Sequence, residues 1–445
     1  MTDLDNFIQK LKSLCSSDGE QLSIESARAV VSEINRFLYT TYDGIGTVNA
    51  LGNEWQFFSE FHRFWNENHR DILDLKINDD TCKSVADALH DIYVRTSGRA
   101  FSEVYDTNGL SAEEICRVRM LTANQDFRGS RNFMELSEIY RDDPTSFDVH
   151  TIFDDPANFV RLIGGTNLSQ NDKRSQYAKK ISQFLIEKNA SPYDVIDFYH
   201  RDVSELHQAM ISYNGTGYGN KKTDMFIRDM IVLGVWNDVS GFDTIDVASD
   251  VNTIKVALRT GILSSTVPLV SSFLDIFDLQ YGYVDEMNAK AWRRVWEIWN
   301  EDFPDEAIQS PCLLDYFIYN VVGKQFCKEI LCIFECEHGH RFKWHSPRNR
   351  TCQVCFNEGN RGQRANLVAK VMPCTDNDGS IAITQTAFYR SEIASPNLDE
   401  CPFRAICDNT NKRQLEPPKA ISIMGQTGWT TAYAQQESGG GGLMA

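Results

Sequence analysis

The sequence predicts a mainly α-helical chain with a small cysteine-rich metal-binding module toward its C-terminal end. Three observations predict it. Apolar residues over roughly the first 300 positions recur at spacings of three and four, as in Phe57, Phe58, Phe61 and Phe64 and again in Ile181, Phe184 and Leu185; that spacing puts them on one helix face. Strand-type alternation is scarce in the same stretch. Eight of the twelve cysteines fall after residue 326, and this crowding marks a module of its own.

Four segments follow in order. Residues 1–107 are expected to be an α-helical N-terminal extension, in which Trp55, Phe57, Phe58, Phe61 and Trp65 form an aromatic stripe read as core. Residues 108–330 continue as helices with short polar punctuation and form the central domain. Residues 331–420 change texture to Cys, His, Arg and short β-prone runs such as 380–387. Residues 421–445 end in SGGGGLMA, a flexible tail. No internal repeat is visible.

Bulk composition excludes several classes. With 42% hydrophobic and 24% charged residues the chain is an ordinary soluble globular protein. Its acidic start, MTDLDNF, lacks the apolar region of a signal peptide, and no run of about 18 apolar residues exists to cross a membrane. A cytoplasmic protein without a membrane partner is expected. The net charge of −18 argues against a general nucleic-acid coat. Local basic tracks remain: Lys173, Arg174, Lys179 and Lys180, then Lys221 and Lys222, then six Lys/Arg against two Glu between 337 and 364.

The most informative stretch lies in the central domain. A helical pattern (Val203, Leu206, Met210, Ile211) runs into Tyr213-Asn-Gly-Thr-Gly-Tyr-Gly219 and restarts at Lys221-Lys-Thr-Asp-Met-Phe-Ile-Arg-Asp-Met230. Gly215, Gly217 and Gly219 at alternate positions are costly inside a helix. They suit a tight turn whose amides can hold a phosphate at a helix N-terminus. Further on comes Asp250-Val-Asn-Thr-Ile-Lys-Val-Ala-Leu-Arg-Thr-Gly261.

Here the sequence resembles the HhH-GPD superfamily of DNA glycosylases. In that superfamily a catalytic Asp opens a helix reading roughly D-T-H-x-x-R-V-x-x-R-x-G. Asp250, Lys255, Val256, Arg259 and Gly261 fall on that pattern, with Asn252 in place of the His. The 222–230 helix is similar to the K-T-x-V-F-x-x-K-[IM] helix of the archaeal 8-oxoguanine DNA glycosylase (AGOG) subfamily, and the 28-residue separation of 222 and 250 matches its long spacer. Leu314-Asp-Tyr-Phe-Ile-Tyr-Asn-Val-Val-Gly323 resembles the L-D-x-x-x-W-x-x-x-G helix lining the AGOG base pocket, and Met120-Leu-Thr-Ala-Asn-Gln-Asp126 the helix carrying the Gln that fills the gap left by a flipped base. The resemblance covers roughly 110–330.

The resemblance implies a two-lobed helix-hairpin-helix glycosylase fold acting on double-stranded DNA that contains a modified base. Such an enzyme extrudes the base against an unstacking cost of a few kcal/mol and cuts its glycosidic bond, leaving an abasic site. Lys222 is the expected nucleophile, attacking C1′ and giving a Schiff base that permits β-elimination. Lys221 is the alternative, counted from Gly217-Tyr-Gly219. Like-charge proximity in the Lys221-Lys222 pair favours a neutral amine on one member. Asp250 would stabilise positive charge on the sugar and help move protons; Asp246 is a weaker competitor. If the lysines bind only phosphate, Asp250 works through water and the enzyme is monofunctional. Gln125, Gly215, Gly217, Gly219 and Lys221 are expected to contact DNA, Asp315 to accept hydrogen bonds from the base, and Tyr319 to stand where AGOG has its stacking Trp. A smaller wall residue admits a bulkier base. The substrate expectation therefore divides between an oxidised purine, in repair, and a hypermodified phage base such as glucosylated hydroxymethylcytosine, in anti-phage defence. A non-catalytic hairpin and zinc-knuckle DNA-binding protein is the alternative function.

In the C-terminal module Cys336-Glu-His-Gly-His340 followed by Cys352-Gln-Val-Cys355 has the C-x3-H…C-x2-C form of a zinc knuckle. Cysteines in a cytosolic chain read as metal ligands more readily than as disulfides, so structural zinc is expected on Cys336, His340, Cys352 and Cys355, with His338, His345 and Cys332 as substitutes. The basic Arg341, Lys343, Arg348 and Arg350 make this module a second expected DNA contact. Gly323-Lys-Gln-Phe-Cys327 resembles the run that starts the iron–sulfur cluster of endonuclease III, and Cys401-Pro-Phe-Arg-Ala-Ile-Cys407 its end. A [4Fe–4S] cluster on Cys327, Cys374, Cys401 and Cys407 is the further cofactor this resemblance implies.

Overall fold

The computed structural model describes residues 5–6, 9–10, 13, 47–50, 53–56, 70–71, 74–102, 104–125, 131–164, 171–264, 281–326, 331–344, 352, 354–355, 358–359, 366–371, 380–383, 388–391 and 401–410. In chain order the elements are β1 (Thr47–Ala50), β2 (Asn53–Gln56), β3 (Lys76–Ile77), α1 (Asp79–Thr96), α2 (Ala112–Thr122), α3 (Phe133–Asp142), α4 (Val149–Asp154), α5 (Pro156–Leu162), α6 (Asn171–Lys188), α7 (Val195–Phe198), α8 (Val203–Ser212), α9 (Asn220–Val232), α10 (Val251–Thr260), β4 (Leu263–Ser264) and α11 (Tyr281–Asp302). A π-helix (Phe317–Phe326), β5 (Leu331–Glu335), β6 (Arg341–Trp344), β7 (Asn366–Val371), β8 (Ser380–Ile383), β9 (Phe388–Ser391) and α12 (Arg404–Thr410) follow. The chain is mainly helical, and among the described residues no helix is long and apolar enough to cross a membrane.

The chain divides into two compact units. The first takes residues 1–89, 251–295 and 318–445. α1 buries Cys82, Val85, Ala86 and Leu89, spaced three and four apart as one helix stripe requires. The Cys82 thiol faces the Ala291 carbonyl of α11 at 4.0 Å, and Arg294 Nε donates to Asp79 Oδ1 at 3.1 Å. β3 pairs antiparallel with β4, Lys76 opposite Ser264 and Ile77 opposite Leu263. Residues 76–89 of the expected extension thus share a unit with α10 and with residues 281–295 of α11, while residues 90–107 belong to the other.

The aromatic stripe is not one helix. Trp55 lies on β2, opposite Val48 in an antiparallel hairpin running from Thr47↔Gln56 to Ala50↔Asn53. Thr47, Val48 and Trp55 are strand formers. The other four stripe residues, Phe57, Phe58, Phe61 and Trp65, lie outside the described residues. Further along, β5 is the centre of a three-stranded antiparallel sheet with β6 and β7, and β8 pairs with β9 within the β-prone stretch. α12 packs on α10.

The second unit takes residues 90–250 and 296–317. Its helices start where the sequence supplies caps. Ser111 and Glu114 form a reciprocal capping box at α2, as do Asn132 and Glu135 at α3, each offsetting amides that a helix start leaves unbonded. α4 and α5 pack on α6, and α8 packs on α9. Phe147, Phe159, Phe184, Phe226 and Trp236 are fully buried, each worth about 1.5–3 kcal/mol on transfer from water. The Phe226 and Trp236 rings meet edge-on at 5.4 Å, fixing the segment after α9 to the core.

Candidate functional site

The glycine-rich turn between α8 and α9 is held from inside. Thr216 is 1% exposed, and its carbonyl accepts a 2.9 Å hydrogen bond from Asn124 Nδ2. Tyr218 Oη donates to the Met120 carbonyl at 2.6 Å. These two anchors leave Gly215 and Gly217, one before and one between them, to make the bend. Gly215 and Gly217 adopt φ of 86° and 77°, the left-handed region that L side chains rarely enter. At Gly217 an added Cβ would lie 2.5 Å from Tyr177 Cδ2, too close for any side chain. Gly217→Ala is therefore expected to lower stability by about 1–3 kcal/mol in urea unfolding. Gly219→Ala, at φ −109° with nothing within 4 Å of the new Cβ, is expected to cost less; equal losses would mean that the Tyr177 contact does not constrain the turn.

α9 begins after Gly219, which forms no side-chain cap hydrogen bond. Its first amides and dipole favour an anion there. Lys221 is exposed and Lys222 half-buried. Lys222 Nζ donates to the Asn124 carbonyl at 2.7 Å and lies 6.0 Å from the Tyr177 ring centroid, over which Lys173 also sits at 5.9 Å. The two neighbouring lysines thus differ in role: one faces solvent, the other is drawn into the fold against α6 and the residues after α2.

Gln125 and Arg174 depart from expectation. A side chain that fills a gap in a duplex must project from the surface, yet Gln125 is 2% exposed. Its Nε2 donates to the Arg174 carbonyl at 3.1 Å, and Arg174 Nη1 donates back to the Gln125 carbonyl at 2.6 Å. Arg174 is itself buried, so it joins α6 to the 123–125 turn instead of extending the surface basic track. The two positions stand 49 residues apart, and nothing in the local sequence links them.

Asp250 is half-buried and immediately precedes α10. Within α10 the motif positions Lys255, Val256 and Arg259 are all buried, and Gly261 closes the helix with its amide on the Ala257 carbonyl at 3.1 Å, an αL cap. Tyr319 is half-buried in the π-helix, with Lys324 Nζ 4.2 Å over its ring.

Asp315, expected to meet a base, is buried and ion-paired with Arg228. This pair belongs to a network that the sequence reading missed. Asp229, 0% exposed, accepts from Tyr105 Oη at 2.9 Å, Arg119 Nε at 2.8 Å and Arg228 Nη2 at 2.7 Å. Burial opposes ionisation of Asp229, but the two guanidinium groups and the hydrogen bonds outweigh it and hold its carboxyl below the ordinary range. Burial pushes the Tyr105 phenol well up. Asp315 is therefore the outer end of a charge-balanced, buried chain of two arginines and two aspartates.

In the first unit, the β5–β6 connection supplies Cys336 and His340, which meet Cys352 and Cys355 from the chain after β6. Ligand atoms of Cys336, His340, Cys352 and Cys355 all lie within 4.8 Å of one another, and this group can bind a metal ion such as zinc. His340 Nδ1 is 3.4 Å from Cys336 Sγ, 3.4 Å from Cys355 Sγ and 3.7 Å from Cys352 Sγ; Cys336 and Cys355 sulfurs are 3.6 Å apart. A tetrahedral ion with bonds of about 2.3 Å to sulfur and 2.0–2.1 Å to nitrogen sets edges of about 3.5–3.8 Å, and these four distances lie within about 0.1 Å of that range. The turn is tight: the Gly339 amide donates to the Cys336 carbonyl at 2.9 Å and the Cys336 amide to the His340 carbonyl at 3.1 Å. Burial opposes ionisation of Cys336, yet backbone donors from His340 and His338 with the neighbouring thiols bring it down to about 6, while burial and then its thiol neighbours push Cys355 up to about 12.

Cys401 and Cys407 are buried around the start of α12; Cys327 and Cys374, like His345, Arg348 and Arg350, lie outside the described residues. Comparison of the chain with protein-family models, with curated proteins and with solved structures gives no match.

Proposed function

We propose that this protein is a DNA glycosylase of the two-lobed helix-hairpin-helix type, excising a modified base with Lys222 as nucleophile and Asp250 as the acid–base and charge-stabilising group. The observation that carries the reading is the position of Lys222. It stands two residues into a helix whose start favours an anion, beside a glycine turn locked by Thr216 and Tyr218, with its amine held inward on the Asn124 carbonyl. A phosphate at the turn and an amine one residue deeper is the arrangement that attack on a sugar beside that phosphate requires. Exposed Lys221 is then the phosphate partner. Asp315, ion-paired with Arg228, offers carboxyl oxygens that suit a base presenting N–H donors.

The reaction balances without a further cofactor. The Lys222 amine forms a bond to C1′, the C1′–N bond breaks, and the base leaves with the electron pair and takes a proton. Of the two amine protons one is passed to the leaving base, and the other goes to O4′ as the C1′–O4′ bond breaks and the sugar ring opens to an imine joining C1′ to the lysine nitrogen. Zinc is the ion we assign to the Cys336, His340, Cys352 and Cys355 group; its d¹⁰ chemistry suits a closed set of three sulfurs and one nitrogen, which is structural. The substrate is an oxidised purine or a hypermodified phage base, and the setting is the cytoplasm.

Duplexes carrying 8-oxoguanine, uracil, hydroxymethylcytosine or its glucosylated form, incubated with and without borohydride, test the reading. Base release with a trapped adduct on one duplex is expected, lost in Lys222→Ala and retained in Lys221→Ala. Release without an adduct would remove Lys222 from the chemistry. Binding to every duplex with release from none would leave a non-catalytic DNA-binding protein.

A further inference from the structure

We propose that His338 is the hydrogen-bond donor to the metal-bound Cys355 thiolate, so that the two imidazoles of Cys336-Glu-His-Gly-His340 divide the work: His340 binds the ion, and His338 holds a ligand sulfur in place and slows the ion's escape. This rests on the zinc assignment above and is independent of the glycosylase reading.

Distances separate the two rings. His340 Nδ1 touches all three sulfurs between 3.4 and 3.7 Å, as the fourth corner of a tetrahedron must. His338 Nδ1 reaches Cys355 Sγ at 3.5 Å, while a site already holding three sulfurs and one nitrogen has no fifth place for it. The rings lie 27° from parallel with centroids 6.3 Å apart, because Gly339 between them, at φ 79°, turns the chain back within one residue.

Charge explains why a donor belongs there. Three thiolates against one divalent ion leave the group with an excess negative charge, carried on the sulfurs. Cys352 sulfur already has a backbone donor, the Cys355 amide at 3.5 Å. The His338 ring does the same for Cys355. A metal-bound thiolate has no proton to give, so the bond has one direction: His338 Nδ1 carries the hydrogen and sulfur accepts. Such outer partners fix ligand orientation, and their loss costs about 10–100-fold in metal affinity. His338 is also exposed, which places it between the sulfur and water.

The test uses the full chain purified with zinc. Metal analysis is expected to give one zinc per chain in the wild type and in His338→Ala, and less in His340→Ala. Transfer of zinc to an excess of a chromogenic chelator should be about 10-fold or more faster from His338→Ala, with Cys355 alkylated faster by iodoacetamide, read by mass spectrometry. His338→Asn, which keeps an N–H donor, should recover part of the slow release. Release and alkylation at wild-type rates in His338→Ala would overturn the donor role alone. Loss of zinc from His338→Ala with retention in His340→Ala would exchange the two assignments. A wild-type chain that takes up no zinc would overturn the metal site itself.

Discussion

Asp229→Ala is expected to destabilise the protein by about 3–5 kcal/mol at pH 7, the largest stability effect of any single change considered. The carboxylate is fully buried and receives hydrogen bonds from Tyr105, Arg119 and Arg228. Its removal leaves two guanidinium groups inside the fold, of which Arg228 keeps Asp315 as a partner and Arg119 loses the carboxylate it was paired with. A buried ion pair adds little net stability when formed, but breaking it from one side strands a charge, and that loss is large. The pH dependence has a definite sign. Asp229 titrates lower in the folded state than its ordinary value; its contribution is therefore present above the unfolded pKa of about 3.9 and is lost as pH falls through the folded value. Urea unfolding of wild type and variant should differ most at neutral pH and converge in acid below pH ~4. A difference under about 1 kcal/mol at pH 7 would mean that water, not the carboxylate, meets the arginines.

Asp250→Asn is expected to slow base release by about 10²–10⁴-fold on whichever duplex the trapping experiment identifies, with little change in DNA affinity or stability. The substitution is chosen for what it keeps. Asp250 directly precedes the first residue of α10, a position where asparagine serves a helix start about as well as aspartate. The remaining loss is the charge near the helix dipole, about 0.3–1 kcal/mol. Single-turnover release therefore reads the carboxylate's chemistry without a folding defect behind it. An unaltered rate would remove Asp250 from the reaction and direct the same experiment to Asp246.

What the sequence made legible was local. The C-x3-H and C-x2-C spacings lie 11 residues apart, each pair is short, and a tetrahedral ion needs nothing else to be predicted; the four ligands converge as expected. The turn after α8 was legible because glycines at 215, 217 and 219 are costly inside a helix, and two of them stand at positive φ. The Lys221 and Lys222 alternatives could not be separated by counting, since adjacent helix positions differ by about 100° and only the fold decides which faces inward. The buried network was illegible for another reason. Arg119 and Asp229 stand 110 residues apart and Arg228 and Asp315 stand 87 apart, with no periodicity to link them. Gln125 has the same lesson: its residue type and place in the motif suggested a surface role, while its partner Arg174, 49 residues on, draws it inward. Trp55 was misplaced because aromatic residues fit a helix stripe and a strand equally well until a pairing partner is known.

The composition of the first unit bears on how the protein is made. Residues 76–89 close against residues 251–295, so α1 leaves the ribosome about 200 residues before its partners do. At 5–20 residues per second that interval is on the order of 10–40 s, during which the stripe of Cys82, Val85, Ala86 and Leu89 has no native cover from that unit's later segments. The second unit draws most of its chain from one continuous stretch, 90–250, and can begin to fold while the first still waits. Nascent chains halted before residue 251 should accordingly bind chaperones through the α1 stripe, and chains extended past α11 should release them.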